Sequence, residues 1–241
     1  MRRSLLLLTV VLLPAGLAAQ AASQGSGSTG GDTPDALNVQ YKQAMEAHNW
    51  ASALTAAQKL VDQNAGAANL LLLADAQLFS NAAADALATY DRALAAAEKE
   101  KPAAGQPDAG WKDVLAKIYL GKGNALLKSR RNDEAVDAYQ QSAALASNPS
   151  VPLFNICATY SNAGDTQNAE PACRKAVQAD PARANAWFVL ATLLFGEAKM
   201  DAKGNFAITG ECRQALEKYL ELAPDGPHAA DVKAMLAMAP Q

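Results

Sequence analysis

Residues 151–181 have the sequence VPLFNICATYSNAGDTQNAEPACRKAVQADP, and this stretch decides the fold. An apolar segment precedes the turn Gly164-Asp165, and a second segment with regularly spaced alanines follows it. Apolar residues at intervals of three and four predict an amphipathic helix in each half, and Gly-Asp between the halves predicts a tight turn. The stretch is therefore predicted to be a hairpin of two helices.

The same pattern recurs along the chain. Ala135 recurs as Ala169, and Ala53 recurs as Ala86, at an interval of about 34 residues in each case. Two wider intervals, from Ala86 to Ala135 and from Ala169 to Cys212, keep the pattern but contain extra residues. A period of this length is typical of stacked helical repeats, in which each unit buries an apolar face against its neighbour.

The repeated unit resembles the tetratricopeptide repeat, a helix–turn–helix of about 34 residues. The resemblance covers roughly residues 34–238, and it is strongest over residues 117–149 and 151–182. It implies an all-α, right-handed α-solenoid of about five helical hairpins with a C-terminal capping helix near residues 226–238. The repeat domain is assigned to residues 34–241. In the best unit, family core positions are occupied by Leu153, Ile156, Cys157, Tyr160, Ala169, Cys173 and Ala176, and the closing proline by Pro181.

The two wider intervals predict inserts near residues 99–110 and 200–210. The first insert has two prolines and two glycines, which predicts a loop between lengthened helices. The second has Lys-Gly-Asn between short apolar stretches, which predicts a small β-hairpin. Each insert is interpreted either as a tolerated surface loop or as a feature that contacts a partner.

The N-terminus is predicted to be a targeting signal. Arg2 and Arg3 precede an apolar run of about ten residues and then small residues, the layout of a cleavable secretory signal at residues 1–21. The run is short for a membrane span, although an uncleaved anchor is the alternative. Residues 22–33 are rich in glycine and serine and predict a flexible leader. We therefore expect a periplasmic or secreted protein with no transmembrane segment after cleavage.

Composition narrows the classes of function. Alanine accounts for 56 of the 241 residues, which favours helix. The net charge of −3 has no basic excess of the kind that binds nucleic acid. With 2 histidines and 3 cysteines, the chain has little material for a catalytic triad or a metal centre. We therefore expect no catalytic residues, no cofactor and no bound metal.

Cys157 and Cys173 are predicted to form a disulfide. In an antiparallel helical hairpin that turns near Asp165, each cysteine is eight residues from the turn, so both lie at about the same level. An exported protein folds where disulfides persist. The alternative is two buried thiols that behave as small apolar side chains. Cys212, at the alanine position of the last unit, is expected in the core.

The family resemblance also implies a partner-binding groove lined by the first helices of the hairpins. Asn124 and Asn155 match two asparagines with which chaperone-binding members hold a peptide's terminal carboxylate. The basic partners do not match, because Leu120, Asn185 and Val189 occupy those positions. The resemblance therefore implies an apolar groove with amide side chains, although its aromatic residues could instead pack between neighbouring helices. The residues assigned to the groove are Asp75, Leu120, Asn124, Phe154, Asn155, Phe188 and Thr192, and other groove positions include Leu71, Leu72, Leu78, Lys117, Lys128, Asn162, Asn185 and Phe195.

The sequence therefore predicts a non-catalytic scaffold of the bacterial cell envelope that binds another protein or a peptide segment. The alternative is a regulatory or accessory subunit of an envelope enzyme that acts on peptidoglycan or exported peptides. A third hypothesis is self-association through the first helix of the stack. The sequence leaves the oligomeric state open.

Overall fold

The structure is a computed structural model that describes residues 32–106, 108–202 and 204–240. The predicted signal peptide and all but the last two residues of the leader lie outside these residues. Within them the chain forms 11 α-helices and one short β-hairpin, so the protein is an all-α helical-repeat protein. The chain divides into two compact units, here called the N-terminal unit (residues 32–147) and the C-terminal unit (residues 148–240).

The N-terminal unit contains three helical hairpins. Its helices are α1 (Pro34–Glu46), α2 (Trp50–Gln63), α3 (Ala67–Phe79), α4 (Ala83–Lys99), α5 (Ala109–Lys128) and α6 (Asn132–Leu145). Each hairpin is formed by two consecutive helices that pack against one another, and successive hairpins pack through α2 with α3 and through α4 with α5. The first insert extends both helices beside it, since α4 has 17 residues and α5 has 20.

Each of these three hairpins turns through one residue in the left-handed region. His48, Asn81 and Arg130 have φ values of 54°, 68° and 61°. At the equivalent turn of the C-terminal unit, Gly164 has φ 76°. Glycine adopts this conformation without the steric cost that a Cβ atom brings. The four hairpin turns therefore share one backbone geometry, although a different residue type occupies the left-handed position in each.

The C-terminal unit contains two helical hairpins, the β-hairpin and a last helix. The last helix begins three residues later than predicted, because Pro227 and His228 lie in a turn, and the His228 amide donates a hydrogen bond of 3.0 Å to the Tyr219 hydroxyl. The elements are α7 (Ser150–Ala163), α8 (Thr166–Ala179), α9 (Ala184–Gly196), β1 (Lys199–Met200), β2 (Phe206–Ala207), α10 (Gly210–Leu222) and α11 (Ala229–Met238).

The second insert forms the small β-hairpin that the sequence predicts. Met200 of β1 pairs with Phe206 of β2 in an antiparallel register. The ring of Phe206 lies 5.2 Å, centroid to centroid, from that of Phe195 at the end of α9. This aromatic contact fixes the hairpin to the helix that precedes it.

Close packing within the hairpins and between successive hairpins depends on small residues facing large ones. A Cβ atom added to Gly123 of α5 would lie 2.5 Å from the ring of Tyr139 on α6, so only glycine fits there. A Cβ atom on Gly121 would likewise lie 2.4 Å from the hydroxyl of Tyr90 on α4. Tyr90 and Tyr139 are fully buried in consequence. The small residues of the repeat thus allow adjacent helices to approach closely.

Candidate functional site

Asp75 and Asn124 occupy the predicted groove positions of α3 and α5, but both are 3% exposed. The hydroxyl of Tyr90 donates a hydrogen bond of 2.6 Å to Oδ1 of Asp75. In the next hairpin the hydroxyl of Tyr139 donates one of 2.8 Å to Oδ1 of Asn124. Each polar side chain therefore joins the first helix of its hairpin to the second. The assignment of these two residues to the partner-contacting surface is corrected by their burial.

A regular spacing in the sequence accompanies this hydrogen bond. Asp75 and Tyr90 are 15 residues apart, and so are Asn124 and Tyr139. Such a spacing in a helical hairpin of this size brings one residue of each helix to the same level. A tyrosine at this distance after a groove-position Asp or Asn therefore predicts an internal hydrogen bond rather than a contact with a partner.

Asp75 also contributes to the raised pKa of two buried tyrosines in the first two hairpins. Burial raises the pKa of Tyr90 well above its ordinary value, and the negative charge of Asp75 and its hydrogen bond raise that pKa further. Burial and the same carboxylate also raise the pKa of Tyr41 on α1. The Tyr41 hydroxyl is buried and has no hydrogen-bond partner among the residues that the structure describes. Both phenols therefore stay protonated in the folded state.

Phe154, Asn155 and Phe188 are completely buried, so the interpretation of the two aromatic rings as an exposed binding surface is wrong. The guanidinium carbon of Arg183 lies 5.4 Å from the centroid of the Phe154 ring. The ring of Phe188 stacks on that of His228, with 3.8 Å between centroids and 4° between planes. The alternative from the sequence, packing between neighbouring helices, describes both rings, because a helix enclosed by its neighbours buries its largest apolar side chains.

Leu120 and Thr192 are the assigned groove residues that keep partial exposure. The hydroxyl of Thr192 donates a hydrogen bond of 2.8 Å to the carbonyl of Phe188 on the same helix, so its proton is already engaged. Lys117, with a side chain 24% exposed, and Lys128 belong to the same groove face of α5 as Leu120. Among the groove positions of α3 and α5, burial thus removes Asp75 and Asn124 from the accessible surface, whereas Leu120, Lys117 and Lys128 remain at least partly exposed.

Cys157 and Cys173 are joined by a disulfide in the structure, with Sγ atoms 2.06 Å and Cα atoms 4.7 Å apart. Both residues are fully buried between α7 and α8. Cys212 is also buried, and its Sγ atom lies 3.7 Å from the Ala191 carbonyl oxygen. Burial raises the pKa of the Cys212 thiol. Because the thiolate is the reactive form of cysteine, Cys212 is placed for packing rather than for nucleophilic chemistry.

Within the described residues, no group of three or more His, Cys, Asp or Glu side chains is arranged to hold a metal ion. His48 lies in the first hairpin turn, 5.2 Å from the ring of Trp50, and His228 stacks on Phe188. None of the helices in the described part of the chain has both the length and the apolar character to cross a membrane.

The repeated hairpins define the class as an α-helical repeat protein of the kind that serves as a protein-interaction scaffold. The family model for the tetratricopeptide repeat matches residues 116–149 and 153–183. These two segments, α5 with α6 and α7 with α8, are therefore identified as tetratricopeptide repeats.

Solved structures of other helical-repeat proteins are similar to this chain, and so is a curated protein. The crystal structure of MamA superimposes with a TM-score of 0.57 at 18% identity, covering 88% of this chain and 100% of that one. YrrB, described as a tetratricopeptide repeat protein with an unusual peptide-binding site, superimposes with a TM-score of 0.56 at 15% identity, covering 84% and 93%. At these identities the likeness shows the fold alone.

One curated relative is the heat-shock protein cognate co-chaperone sgt12 of Aspergillus fumigatus, 29% identical over 134 residues. The match covers 56% of this chain and 37% of that protein, so the chain spans little more than a third of the relative's length.

Proposed function

We propose that this protein is a non-catalytic scaffold that binds a segment of another protein along the groove face of its first helices. The observation that carries the proposal is the combination of tetratricopeptide repeats with a groove face that retains accessible Leu120 and Lys128. The related folds support it, because YrrB is described as having a peptide-binding site and sgt12 as a co-chaperone.

We further propose that the protein acts in the bacterial cell envelope or outside the cell. The N-terminal pattern of Arg2, Arg3 and an apolar run supports cleavage of a signal peptide on export. A buried disulfide between Cys157 and Cys173 is consistent with folding in an oxidising compartment. Fractionation of cells with mass spectrometry of the N-terminus tests this. An intact N-terminus on protein recovered from the cytoplasm would exclude export.

Site-specific photocrosslinking in living cells tests the groove. A photoreactive amino acid at Leu120 should give a covalent adduct with a partner protein, because the proposed segment covers that side chain. The matched control is Glu98 of α4, whose side chain is 73% exposed and does not occupy a groove position. Adducts of equal yield from both positions would contradict binding in the groove, and adducts only from Glu98 would assign the interaction to the opposite helices.

A further inference from the structure

Charge is segregated within the third helical hairpin. Helix α5 carries four lysines and one aspartate, whereas α6 carries three acidic residues and no basic one. The whole chain has a net charge of −3, so α5 is a basic helix on an acidic protein. The residues concerned are Lys112, Asp113, Lys117, Lys122 and Lys128 on α5, and Asp133, Glu134 and Asp137 on α6.

At the groove positions of α3 and α5, the charged side chains that reach solvent are Lys117 and Lys128. The third charged residue at these positions, Asp75, is buried and accepts a hydrogen bond from Tyr90. The interval from Lys117 to Lys128 corresponds to about three helical turns, or about 16 Å along the axis of α5. The two lysines therefore lie on one face of α5, with the partly exposed Leu120 and Leu127 between them.

The structure holds both lysines in position without burying their charge. The Nζ atom of Lys128 donates a hydrogen bond of 2.9 Å to the Leu78 carbonyl near the end of α3. An ammonium group has three donors, so this bond orients the side chain and leaves further donor capacity. Lys117 forms an ion pair of 2.6 Å with Asp113 on its own helix. Because both side chains of this pair are partly exposed, the pair contributes little to stability, and a second carboxylate can approach Lys117 from the solvent side.

The geometry points to the class of partner for this groove: an acidic amphipathic helical segment of another protein. We infer that two of its side-chain carboxylates, three turns apart, pair with Lys117 and Lys128, and that apolar residues between them cover Leu120 and Leu127. This inference rests on the proposed function and specifies the chemistry of its partner. Recognition depends on side-chain carboxylates, so a free C-terminus on the segment is not needed.

Designed fluorescent peptides of about 18 residues provide the probe. The acidic peptide carries two glutamates three helical turns apart, with leucines on the same face between them. Two matched peptides replace the glutamates with glutamine or with lysine, and a fourth is the acidic peptide with a free rather than an amidated C-terminus. Binding to the full chain is measured by fluorescence anisotropy at low and high salt. We expect the acidic peptide to bind at least about fivefold more tightly than the glutamine peptide at low salt, with the difference falling as salt screens the charges.

The variant Lys128→Glu should weaken binding of the acidic peptide at least about fivefold and strengthen binding of the lysine peptide. A protein that merely failed to fold would not gain affinity for the lysine peptide. The control Lys175→Glu makes the same change of charge at an exposed position of α8 and should leave both affinities unchanged.

Equal binding of the acidic and glutamine peptides, or no binding of either, overturns the proposed charge recognition. If the acidic and glutamine peptides bind equally, the variant Leu120→Gln distinguishes the two proposals. Loss of binding of both peptides in this variant would support the groove as the binding surface while charge recognition is excluded. Binding that requires the free C-terminus would also overturn the inference, because it would assign recognition to a terminal carboxylate.

Discussion

The disulfide occupies a position at which the other hairpins pair a large residue with a small one. Cys157 and Cys173 are separated by 16 positions in the sequence. The same separation relates Gly123 to Tyr139, Ala74 to Tyr90, and Tyr41 to Ala57. In the third hairpin this pair of positions is in direct contact, Gly123 against the Tyr139 ring, so the covalent bond occupies the position of a packing contact between two helices.

This equivalence predicts how the disulfide can be replaced. Cys157→Ala with Cys173→Ala should lower the free energy of unfolding by about 3 kcal/mol, because a cross-link across 16 residues constrains the unfolded chain. Cys157→Gly with Cys173→Tyr should recover about 2 kcal/mol of this, since a buried tyrosine ring over glycine restores apolar burial. Urea unfolding followed by circular dichroism measures both.

The native protein under non-reducing conditions provides the control, and its intact mass should be lower than that of the reduced protein by two hydrogen atoms. If Cys157→Gly with Cys173→Tyr is no more stable than Cys157→Ala with Cys173→Ala, this hairpin does not share the glycine–tyrosine packing of the third hairpin.

At the scale of the element, the hairpin turns require a left-handed backbone conformation that most of their residues do not favour. Arg130 and His48 are held at positive φ, where a Cβ atom costs roughly 1–2 kcal/mol, whereas Gly164 adopts the same geometry freely. Packing of the two helices imposes the turn on whatever residue occupies it. The turns are therefore sites where stability can be gained without any change in the groove.

Arg130→Gly should raise the free energy of unfolding by up to about 1 kcal/mol, because relief of the left-handed strain exceeds the added freedom of the unfolded chain. Asn81→Gly should gain less, since asparagine tolerates this region. Gly164→Ala should lose about 1 kcal/mol. Thermal unfolding of the three variants ranks them, and a destabilised Arg130→Gly would mean that the contact of Arg130 with its surroundings outweighs the strain.

At the scale of the whole molecule, the two compact units depend on different chemistry. The buried phenols with raised pKa, Tyr41 and Tyr90, lie in the N-terminal unit. The disulfide lies in the C-terminal unit. High pH and a reducing agent should therefore weaken different units.

Below about pH 10 these tyrosines are protonated in both the folded and the unfolded chain, so their titration does not change the free energy of unfolding in this range. As pH rises above about 10, the unfolded chain loses these protons while the folded chain keeps them, and the free energy of unfolding falls by up to about 1.4 kcal/mol per pH unit for each. A reducing agent at neutral pH should act on the C-terminal unit instead.

Tryptophan fluorescence separates the units, because Trp50 and Trp111 report the N-terminal unit and Trp187 the C-terminal unit. Denaturation is followed in Trp187→Phe and in the double variant Trp50→Phe with Trp111→Phe. Tyr41→Phe should reduce the pH dependence of the first unit. Equal loss in both units under each treatment would show that they unfold as one.

Much of this molecule follows from its sequence. The hairpins, the last helix and the second insert as a β-hairpin are local or periodic features, because the spacing of apolar residues sets which side of a helix is buried. Cys157 and Cys173 lie opposite one another in their hairpin because each is eight residues from the turn at Asp165, and this also follows from the sequence. The period of the repeat was therefore sufficient to predict the class of fold and the type of repeat.

The tertiary structure alone decided which groove residues a partner can reach. Position in the repeat places Phe154, Asn155, Phe188, Asp75 and Asn124 toward the groove, yet their exposure depends on how closely neighbouring helices approach. That approach is set by contacts between residues far apart in sequence, such as Tyr90 with Gly121. Burial removed the rings of Phe154 and Phe188 from the surface. At the groove positions of α3 and α5 it left Lys117 and Lys128 as the accessible charges, because an ammonium group on a long flexible side chain stays in water.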